Sequence, residues 1–242
     1  MNENYIIKDA ALMALTDKGR RQETFVLPEG IEAFAEGIFN GIVVKEITFP
    51  SSLQYIPSGI LADHTELEKV TISNGTERIM EFAFYGCTTL KEIVIPESVK
   101  GIEIYAFRYC SSLKSVNLPD EFETLGFGTF NGCTALEKIQ LPKGLKAVSE
   151  YVFKGCRSLT DVDLPDGIED IYSEAFAGCT ALTHINLPRS VFHIDRDVFE
   201  GCSGLTDIYV DQDKNYECCL FDKVDIPAGC KIHWALEGAI IR

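Results

Sequence analysis

Residues 174–191, EAFAGCTALTHINLPRSV, decide the fold of this chain. The segment 23 residues earlier, YVFKGCRSLTDVDLPDGI, and the segment 23 residues before that, GTFNGCTALEKIQLPKGL, have the same skeleton. In each, a phenylalanine, a glycine–cysteine pair, a leucine, two alternating apolar residues and a proline recur in the same order. A fixed period of this length predicts one supersecondary unit stacked on copies of itself, because a single unit cannot bury its apolar face alone.

The proline near the end of each skeleton sets the register of the repeats. Successive proline slots are 23 residues apart, except the first two, which are 22 apart because one residue is missing between Phe39 and Ile47. Ser73 fills one slot, and the other slots hold Pro28, Pro50, Pro96, Pro119, Pro142, Pro165 and Pro188. We count eight repeats over residues 25–209, with 1–24 before them and 210–242 after them. The whole chain, 1–242, is therefore predicted to be a single elongated repeat domain.

Each unit is predicted to contain two short strands and a return turn. In residues 182–188, LTHINLP, the apolar residues alternate as in a strand with one buried face. The proline ends that strand because it has no N–H to donate to the next rung. Ile168 and Ile171 mark a second short strand across the turn. We expect residues 175–179 to bring the chain back as a short helical or 3₁₀ turn.

Stacking aligns equivalent side chains into apolar columns. The phenylalanine column consists of Phe84, Phe107, Phe130, Phe153, Phe176 and Phe199, extended by Phe39 and Leu61. A leucine column and an isoleucine/valine column run beside it, as in Leu182 and Ile185. Each repeat thus buries about seven apolar side chains, each contributing about 1.5–3 kcal/mol before the entropy cost is subtracted.

The repeating unit Leu-x-x-Val-x-Leu-Pro-x-x-Val-x-x-Ile-x-x-x-Ala-Phe-x-Gly-Cys resembles the BspA-like class of leucine-rich repeats, over about residues 25–210. The resemblance implies an α/β repeat solenoid rich in β-structure. It would be a right-handed leucine-rich-repeat superhelix with a parallel β-sheet, short second strands and helical turns, capped at both ends. Departures from the pattern are Ile42 and His64 in the cysteine slot, and Asp63 and Tyr109 in the glycine slot.

The segments outside the repeats are predicted to cover the apolar ends of the stack, as every solenoid requires. Residues 1–24 contain short apolar runs separated by a polar turn, typical of one or two strands that fold back on the first repeat. After Val210, Asp211 replaces the proline and a polar insertion follows. We expect Ile226-Pro227 to re-enter the proline slot and the following residues to close a C-terminal cap.

Six cysteines recur at the full period: Cys87, Cys110, Cys133, Cys156, Cys179 and Cys202. Cysteine buries readily as a small apolar side chain, and this spacing lacks the local clustering of metal ligands. Stacked neighbours lie about 5 Å apart, within disulfide reach, but their parallel Cβ directions disfavour the required torsion. We expect a buried ladder of free thiols, with disulfides and metal binding as alternatives. Cys218, Cys219 and Cys230 stand outside the ladder, and either of the first two could pair with Cys230.

Composition and motifs argue against several functions. A net charge of −15 disfavours binding to nucleic acid or to an anionic membrane surface. No apolar run approaches the length of a transmembrane helix, and the N-terminal residues do not have the pattern of a signal peptide. The four histidines are scattered, and no phosphate-binding glycine loop, H-E-x-x-H or G-x-S-x-G motif occurs. We therefore expect no enzymatic activity, cofactor or metal.

Residues that flank a buried strand residue point to the opposite face of the sheet. On the C-terminal half of that face we expect a partner-binding patch at Asp161, Asp163, His184, Asn186, Asp207 and Tyr209. The aspartates would steer a basic partner, and Tyr209 would anchor it. The alternative is a face that is merely solvated.

By the resemblance, the chain is expected to be a protein–protein interaction module, in adhesion or recognition at a bacterial surface, and therefore secreted or surface-exposed. The alternative is an intracellular, cytoplasmic scaffold, favoured by the reduced-looking cysteines and the missing signal peptide. The identity of the protein partner and the oligomeric state stay open.

Overall fold

The computed structural model describes residues 3–211 and 220–235. Its repeats stack into a β-solenoid of about nine turns, and the strands of the repeats pair in parallel. The leucine-rich-repeat solenoid expected from the sequence is thus confirmed. The right-handed sense of the superhelix stays a prediction.

The first strand of each unit forms a ladder along the solenoid, broken into three sheets. Its strands are β3 (Thr24–Val26), β5 (Glu46–Phe49), β7 (Lys69–Ile72), β9 (Glu92–Val94), β11 (Ser115–Val116), β13 (Lys138–Gln140), β15 (Asp161–Asp163), β17 (His184–Leu187), β19 (Asp207–Val210) and β20 (Lys231–Trp234). The sheets have the orders β3-β5-β7-β9, β11-β13-β15 and β17-β19-β20. Equivalent residues pair, as Ile139 does with Val162, so the sequence period is the register of the ladder.

The predicted second strands are present and form their own parallel ladder. They are β4 (Ala33–Phe34), β6 (Tyr55–Ile56), β8 (Arg78–Ile79), β10 (Gly101–Ile102), β12 (Thr124–Leu125), β14 (Ala147–Val148), β16 (Asp170–Ile171) and β18 (His193–Ile194). β6-β8-β10-β12 form one sheet and β14-β16-β18 another. Each strand has only two residues, because the chain turns immediately before and after it.

The expected helical or 3₁₀ return turn is wrong: residues 25–210 contain no helix. Alternate N–H groups of each turn instead donate to carbonyls of the next repeat. Those of Phe82, Phe84 and Gly86 lie 3.0, 2.9 and 2.8 Å from the oxygens of Ile104, Ala106 and Arg108. Phe82 and Gly86 have φ values of +57° and +70°. These left-handed residues direct alternate N–H groups across to the neighbouring repeat, whereas a helix would keep its hydrogen bonds within the segment.

These hydrogen bonds define a third ladder, here called the turn ladder, which consists of residues 58–63 and their equivalents in the following repeats. The same pattern recurs one repeat later, where the N–H groups of Tyr105, Phe107 and Tyr109 donate to the carbonyls of Phe127, Thr129 and Asn131. The N–H groups between them, such as that of Tyr85, donate within their own turn, so each turn is held both by its own hydrogen bonds and by those to its neighbour.

The phenylalanine column is the centre of the core. From Phe84 to Phe199, successive rings stack with centroids 5.3–6.1 Å apart and planes within 17°. All of its members, including Phe39 and Leu61, are buried. Near the N-terminus the stacking gives way to edge contacts, because Leu61 interrupts the column and Phe49 meets Phe84 edge-on at 6.4 Å.

The six periodic cysteines are buried, which confirms their predicted place in the core. Each thiol donates to the carbonyl oxygen of the column residue in the preceding repeat, at 3.0–3.2 Å. Cys156 Sγ, for example, lies 3.2 Å from the oxygen of Phe130. Burial raises the pKa of the Cys87 thiol to about 12 and that of Cys202 to about 11. Both thiols are therefore protonated at neutral pH and can donate these hydrogen bonds.

The N-terminal segment is the strand pair expected from its sequence. β1 (Tyr5–Lys8) pairs antiparallel with β2 (Ala11–Leu15), and β2 pairs in parallel with β4. Leu12 and Leu15 are buried in the core. A 3₁₀ helix, Gly19–Arg21, follows and leads into β3. The hairpin extends the second-strand ladder by two strands; that this is needed as a cap stays a prediction.

The C-terminal segment departs from the expected register. β20 pairs in parallel with β19, and Asp207 lies opposite Lys231, 24 residues later. Ile226-Pro227 therefore precedes the strand instead of filling the proline slot at its end, which is a correction to the sequence prediction. Since Val210 lies opposite Trp234, the slot itself falls after Trp234. Cys218 and Cys219 lie outside the described residues, and Cys230 is partly exposed.

Candidate binding face

The six residues of the predicted patch all lie on strands of the first ladder, beside buried neighbours. Asp161 and Asp163 flank Val162 on β15, and both are exposed. On β17 and β19 the flanking side chains are half-buried or exposed, while Ile185 and Ile208 between them are buried. Strand alternation therefore places His184, Asn186, Asp207 and Tyr209 on the same face as the two aspartates.

Four of these residues lie on two strands that pair directly, whereas the other two lie on a strand of a different sheet. His184 lies opposite Asp207, and Asn186 lies opposite Tyr209. Asp161 and Asp163 belong to the preceding sheet, because β15 and β17 lie at the edges of two separate sheets. The patch expected to be one continuous row thus crosses a break in the sheet.

A surface depression of about 300 Å³ bridges this break. Asp163, Asn186 and Tyr209 line it, one from each of β15, β17 and β19. Asp166 and Asp211 line the same depression from the ends of the strands. Three carboxylates and a tyrosine ring therefore meet at one place on the face. Sequence alternation did not identify Asp166 and Asp211, because both lie beyond the strands.

A second depression, of about 370 Å³, adjoins the first and also contains Asp163. Its lining includes Asp161, Lys138 and Gln140, and Lys138 lies directly opposite Asp161 in the sheet. The strand face is therefore less acidic at β13 than at β15, because Lys138 of β13 lies opposite Asp161 of β15. The carboxylates that line these two depressions all lie in the C-terminal repeats.

His233 is part of the face although sequence reasoning missed it. Its Nε2 lies 2.7 Å from Oδ1 of Asp207, and its ring stacks on Tyr209 with centroids 4.7 Å apart and planes at 17°. The ring of His184 lies edge-on to that of Tyr209, with the two ring centroids 6.4 Å apart. The hydrogen bond from His233, then that from Thr206, lowers the pKa of the Asp207 carboxyl. The signal that could have found His233 is the alternation of Lys231-Ile232-His233-Trp234, which is that of a further strand.

Chemically, this arrangement presents acceptors and ring faces. Within residues 3–211 and 220–235 no three histidine, cysteine or acidic side chains come together to hold a metal ion. Carboxylates at Asp161, Asp163, Asp166 and Asp211 attract a cationic ligand, and the Tyr209–His233 pair offers a flat ring surface.

Helices long and apolar enough to cross a membrane are not found in the described part of the chain.

Comparisons with known proteins agree with this architecture. The profile of the BspA type leucine-rich repeat region matches residues 18–134 and 100–227, with six copies. A leucine-rich repeat protein of T. pallidum is 23% identical, with a TM-score of 0.59 over 83% of this chain and 86% of that one. A leucine-rich repeat protein from Bacteroides ovatus is 20% identical, with a TM-score of 0.58 over 96% of this chain and 76% of that one. These two likenesses concern the fold alone. Comparison with curated proteins finds no match.

Proposed function

The chain belongs to the BspA-type leucine-rich repeat family, and from this premise we propose that it is a non-enzymatic module that binds another protein through the face of β15, β17 and β19. The observation that carries the proposal is the depression where Asp163, Asn186 and Tyr209 meet. A merely solvated face needs no such convergence of carboxylates and an aromatic ring from three repeats.

The chemistry of the face selects a basic partner. Asp163, Asp166 and Asp211 line one depression, and Asp161 lies beside it. Complementary charge increases the rate of association and discriminates against acidic partners. Tyr209 is held against His233, so its ring loses little freedom when a partner packs on it. A lysine- or arginine-containing loop or extended segment fits these groups.

We further propose that this binding serves adhesion or recognition at a bacterial cell surface, a role supported by the family to which the chain belongs. The alternative is an intracellular scaffold. It is favoured by six buried cysteines that act as thiol donors, since reduced cysteines are usual in the cytosol. Protease treatment of intact cells distinguishes the two, because only a surface protein is removed before the cells are lysed.

The test of the binding face is a charge reversal on β15. Asp161→Lys with Asp163→Lys replaces two exposed side chains, so the fold should be retained. The purified wild-type chain and the double variant are used to capture proteins from extracellular matrix and from the cells themselves. The proposal expects a retained protein whose affinity falls in the variant, most strongly at low salt, since salt screens exposed charges.

A matched control is Glu121→Lys with Glu123→Lys, which changes the net charge equally at two exposed positions outside the strand face. Affinity should survive this change nearly intact. Equal loss in both double variants would indicate an effect of net charge alone and would contradict a localised site. Unchanged affinity in the folded β15 variant would exclude the face itself.

A further inference from the structure

A row of aromatic rings covers the turn ladder, a part of the surface that shares no residue with the proposed binding face. Centroids of Phe82 and Tyr105 are 5.6 Å apart, those of Tyr105 and Phe127 5.1 Å, and those of Phe127 and Tyr151 4.8 Å. One ring thus follows another over four successive repeats. A shorter second row, Tyr85 and Tyr109 at 5.6 Å, runs beside it.

Several of these rings are held on strained backbone. Phe82, Tyr105, Tyr109 and Tyr151 have φ values between +56° and +65°, a region that is costly for residues with a Cβ. Most of the equivalent positions in other repeats are glycines: Gly59 and Gly128 in the slot of Phe82, Tyr105 and Tyr151, and Gly86, Gly132, Gly155 and Gly178 in the slot of Tyr109. Glu174 and Asp63 occupy the same two slots at φ values of +52° and +58°. The aromatic residues thus adopt a conformation that is easy for glycine and costly for a residue with a Cβ. Strain of this kind concentrates at functional sites.

The neighbouring glycines create room for the rings. A Cβ on Gly128 would lie 2.4 Å from Cε1 of Tyr105, and a Cβ on Gly132 would lie 2.5 Å from Cδ1 of Tyr109. Each of these rings consequently packs directly against a glycine of the next repeat. The surface is prearranged, and about two-fifths of Phe82 and of Tyr109 stays exposed to solvent.

A cation stands between the two rows. The guanidinium carbon of Arg108 lies 4.5 Å from the centre of the Tyr105 ring and 4.6 Å from that of Tyr109, and one of its N–H groups donates to the Tyr109 hydroxyl at 2.7 Å. No carboxylate of the described residues forms an ion pair with it, and its Nε has no hydrogen-bond partner there. In a chain with a net charge of −15, this is a positive site that is held in place.

We propose that the aromatic row binds a proline-rich segment of a partner protein in the polyproline II conformation, with an acidic side chain of that segment against Arg108. Polyproline II segments dock on aromatic-lined surfaces at low entropic cost, because they are already extended. Phe82 and Tyr109, the most exposed of these rings, offer apolar surface to a pyrrolidine ring, and the tyrosine hydroxyls provide polar groups for the unpaired carbonyls of the segment.

The spacing of repeats along the solenoid matches the pitch of a polyproline II helix. Parallel rungs lie about 4.8 Å apart, so residues in the same slot of alternate repeats, such as Tyr105 and Tyr151, are separated by about 9.6 Å along the stack. One turn of polyproline II, three residues, rises about 9.3 Å. A segment that runs along the solenoid therefore returns the same face to every second repeat. The four repeats from Phe82 to Tyr151 span about 14 Å, which is the length of about five residues of such a segment.

The experiment uses the full chain and a fluorescently labelled peptide of about twelve residues, PPEPPAPPEPPA. Control peptides have glycine in place of every proline, or glutamine in place of both glutamates. Fluorescence anisotropy gives the affinities. We expect saturable binding of the first peptide, and affinity lower by about tenfold or more for the glycine peptide, which does not favour polyproline II. Arg108→Gln should remove the preference for glutamate over glutamine.

The decisive variant is Tyr105→Gly with Tyr109→Gly. Both slots hold glycine in other repeats at similar φ, so the variant should fold, with relief of backbone strain offsetting part of the ring packing that is lost. Its affinity for the proline-rich peptide should fall by about tenfold or more, which is the effect of removing two ring contacts. Phe192→Ala, at an exposed aromatic outside the row, is the matched control and should bind normally.

Three results would overturn the proposal: no saturable binding by the wild type, equal affinity for the proline and glycine peptides, or undiminished binding by the folded double-glycine variant. Should the double variant unfold, Phe82→Gly, in the slot that Gly59 fills, decides the question by the same measurement. The strand-face variant Asp161→Lys with Asp163→Lys should bind the peptide as well as the wild type, so each surface is tested independently of the other.

Discussion

Nε2 of His64 lies 3.1 Å from the carbonyl oxygen of Phe39, so the histidine occupies the position that a cysteine thiol has in six later repeats. Its Nδ1 lies 3.2 Å from the oxygen of Ala62. The thiol of Cys87, one repeat later, contacts the oxygen of Leu61 at 3.1 Å. His64 thus continues the line of donors beyond the cysteines, at the point where the period shortens by one residue.

We expect His64→Cys to be less destabilising than His64→Ala. A thiol restores the second donor to the Phe39 carbonyl, whereas alanine leaves that oxygen with the Ile42 N–H alone, and the loss of one such hydrogen bond costs about 0.5–1.5 kcal/mol. Urea denaturation of the two variants measures the difference in unfolding free energy. Equal stabilities would show that the carbonyl does not need a donor from this slot.

Phe153→Ala should lower the free energy of unfolding by about 3–5 kcal/mol, because it opens a cavity between two stacked neighbours. The Phe153 ring lies 6.0 Å from Phe130 and 5.6 Å from Phe176. Phe192→Ala, at a side chain that is 64% exposed, serves as the control and should change stability little. A loss below about 1 kcal/mol in Phe153→Ala would contradict its place at the centre of the core.

The thiol ladder should make the fold less stable in alkali. The folded-state pKa values of Cys202 and Cys87, about 11 and 12, lie above the thiol value of about 8.5 for an unfolded chain. The folded chain therefore keeps protons that the unfolded chain loses. This stabilising contribution is fully present below the unfolded pKa and is lost as pH rises through the folded values.

Unfolding free energies at about pH 8 and pH 10 test this, and Cys87→Ala should show a smaller fall between them. In a parallel measurement at neutral pH, a thiol reagent should label few ladder cysteines in the native protein and all six after denaturation without reductant. Thiols that react only after a reductant is added would mean that the ladder is cross-linked.

Deletion of residues 211–242 should cause aggregation or lower the melting temperature. It removes β20, which pairs along the whole length of β19, and so leaves that strand as an open edge. Partly buried Ile232 and Trp234, which pack against the core, are lost with it. Light scattering and thermal melting measure the two effects. A monomeric truncated protein with an unchanged melting temperature would show that the segment is not needed as a cap.

Periodicity alone was enough to predict the columns, because each repeat places equivalent residues at one level of the stack. Phe153, Cys156 and Val162 are buried as their slots require, and Asp161 and Asp163 are exposed as strand alternation requires. These features depend only on the spacing of apolar residues along the chain, which can be read directly from the sequence.

Other features depended on contacts between repeats. The return turn is not helical, since alternate N–H groups, such as that of Phe82, donate to the next repeat rather than to their own segment. Tyr109 appears in the sequence as a departure from a glycine slot. Only stacking shows that its ring has space over Gly132 and holds Arg108. His233 reaches Asp207 through a register of 24 residues, which a polar insertion conceals from any search at the 23-residue period. Spacing thus determined which side chains are buried, whereas the packing of one repeat on the next decided which surface groups meet.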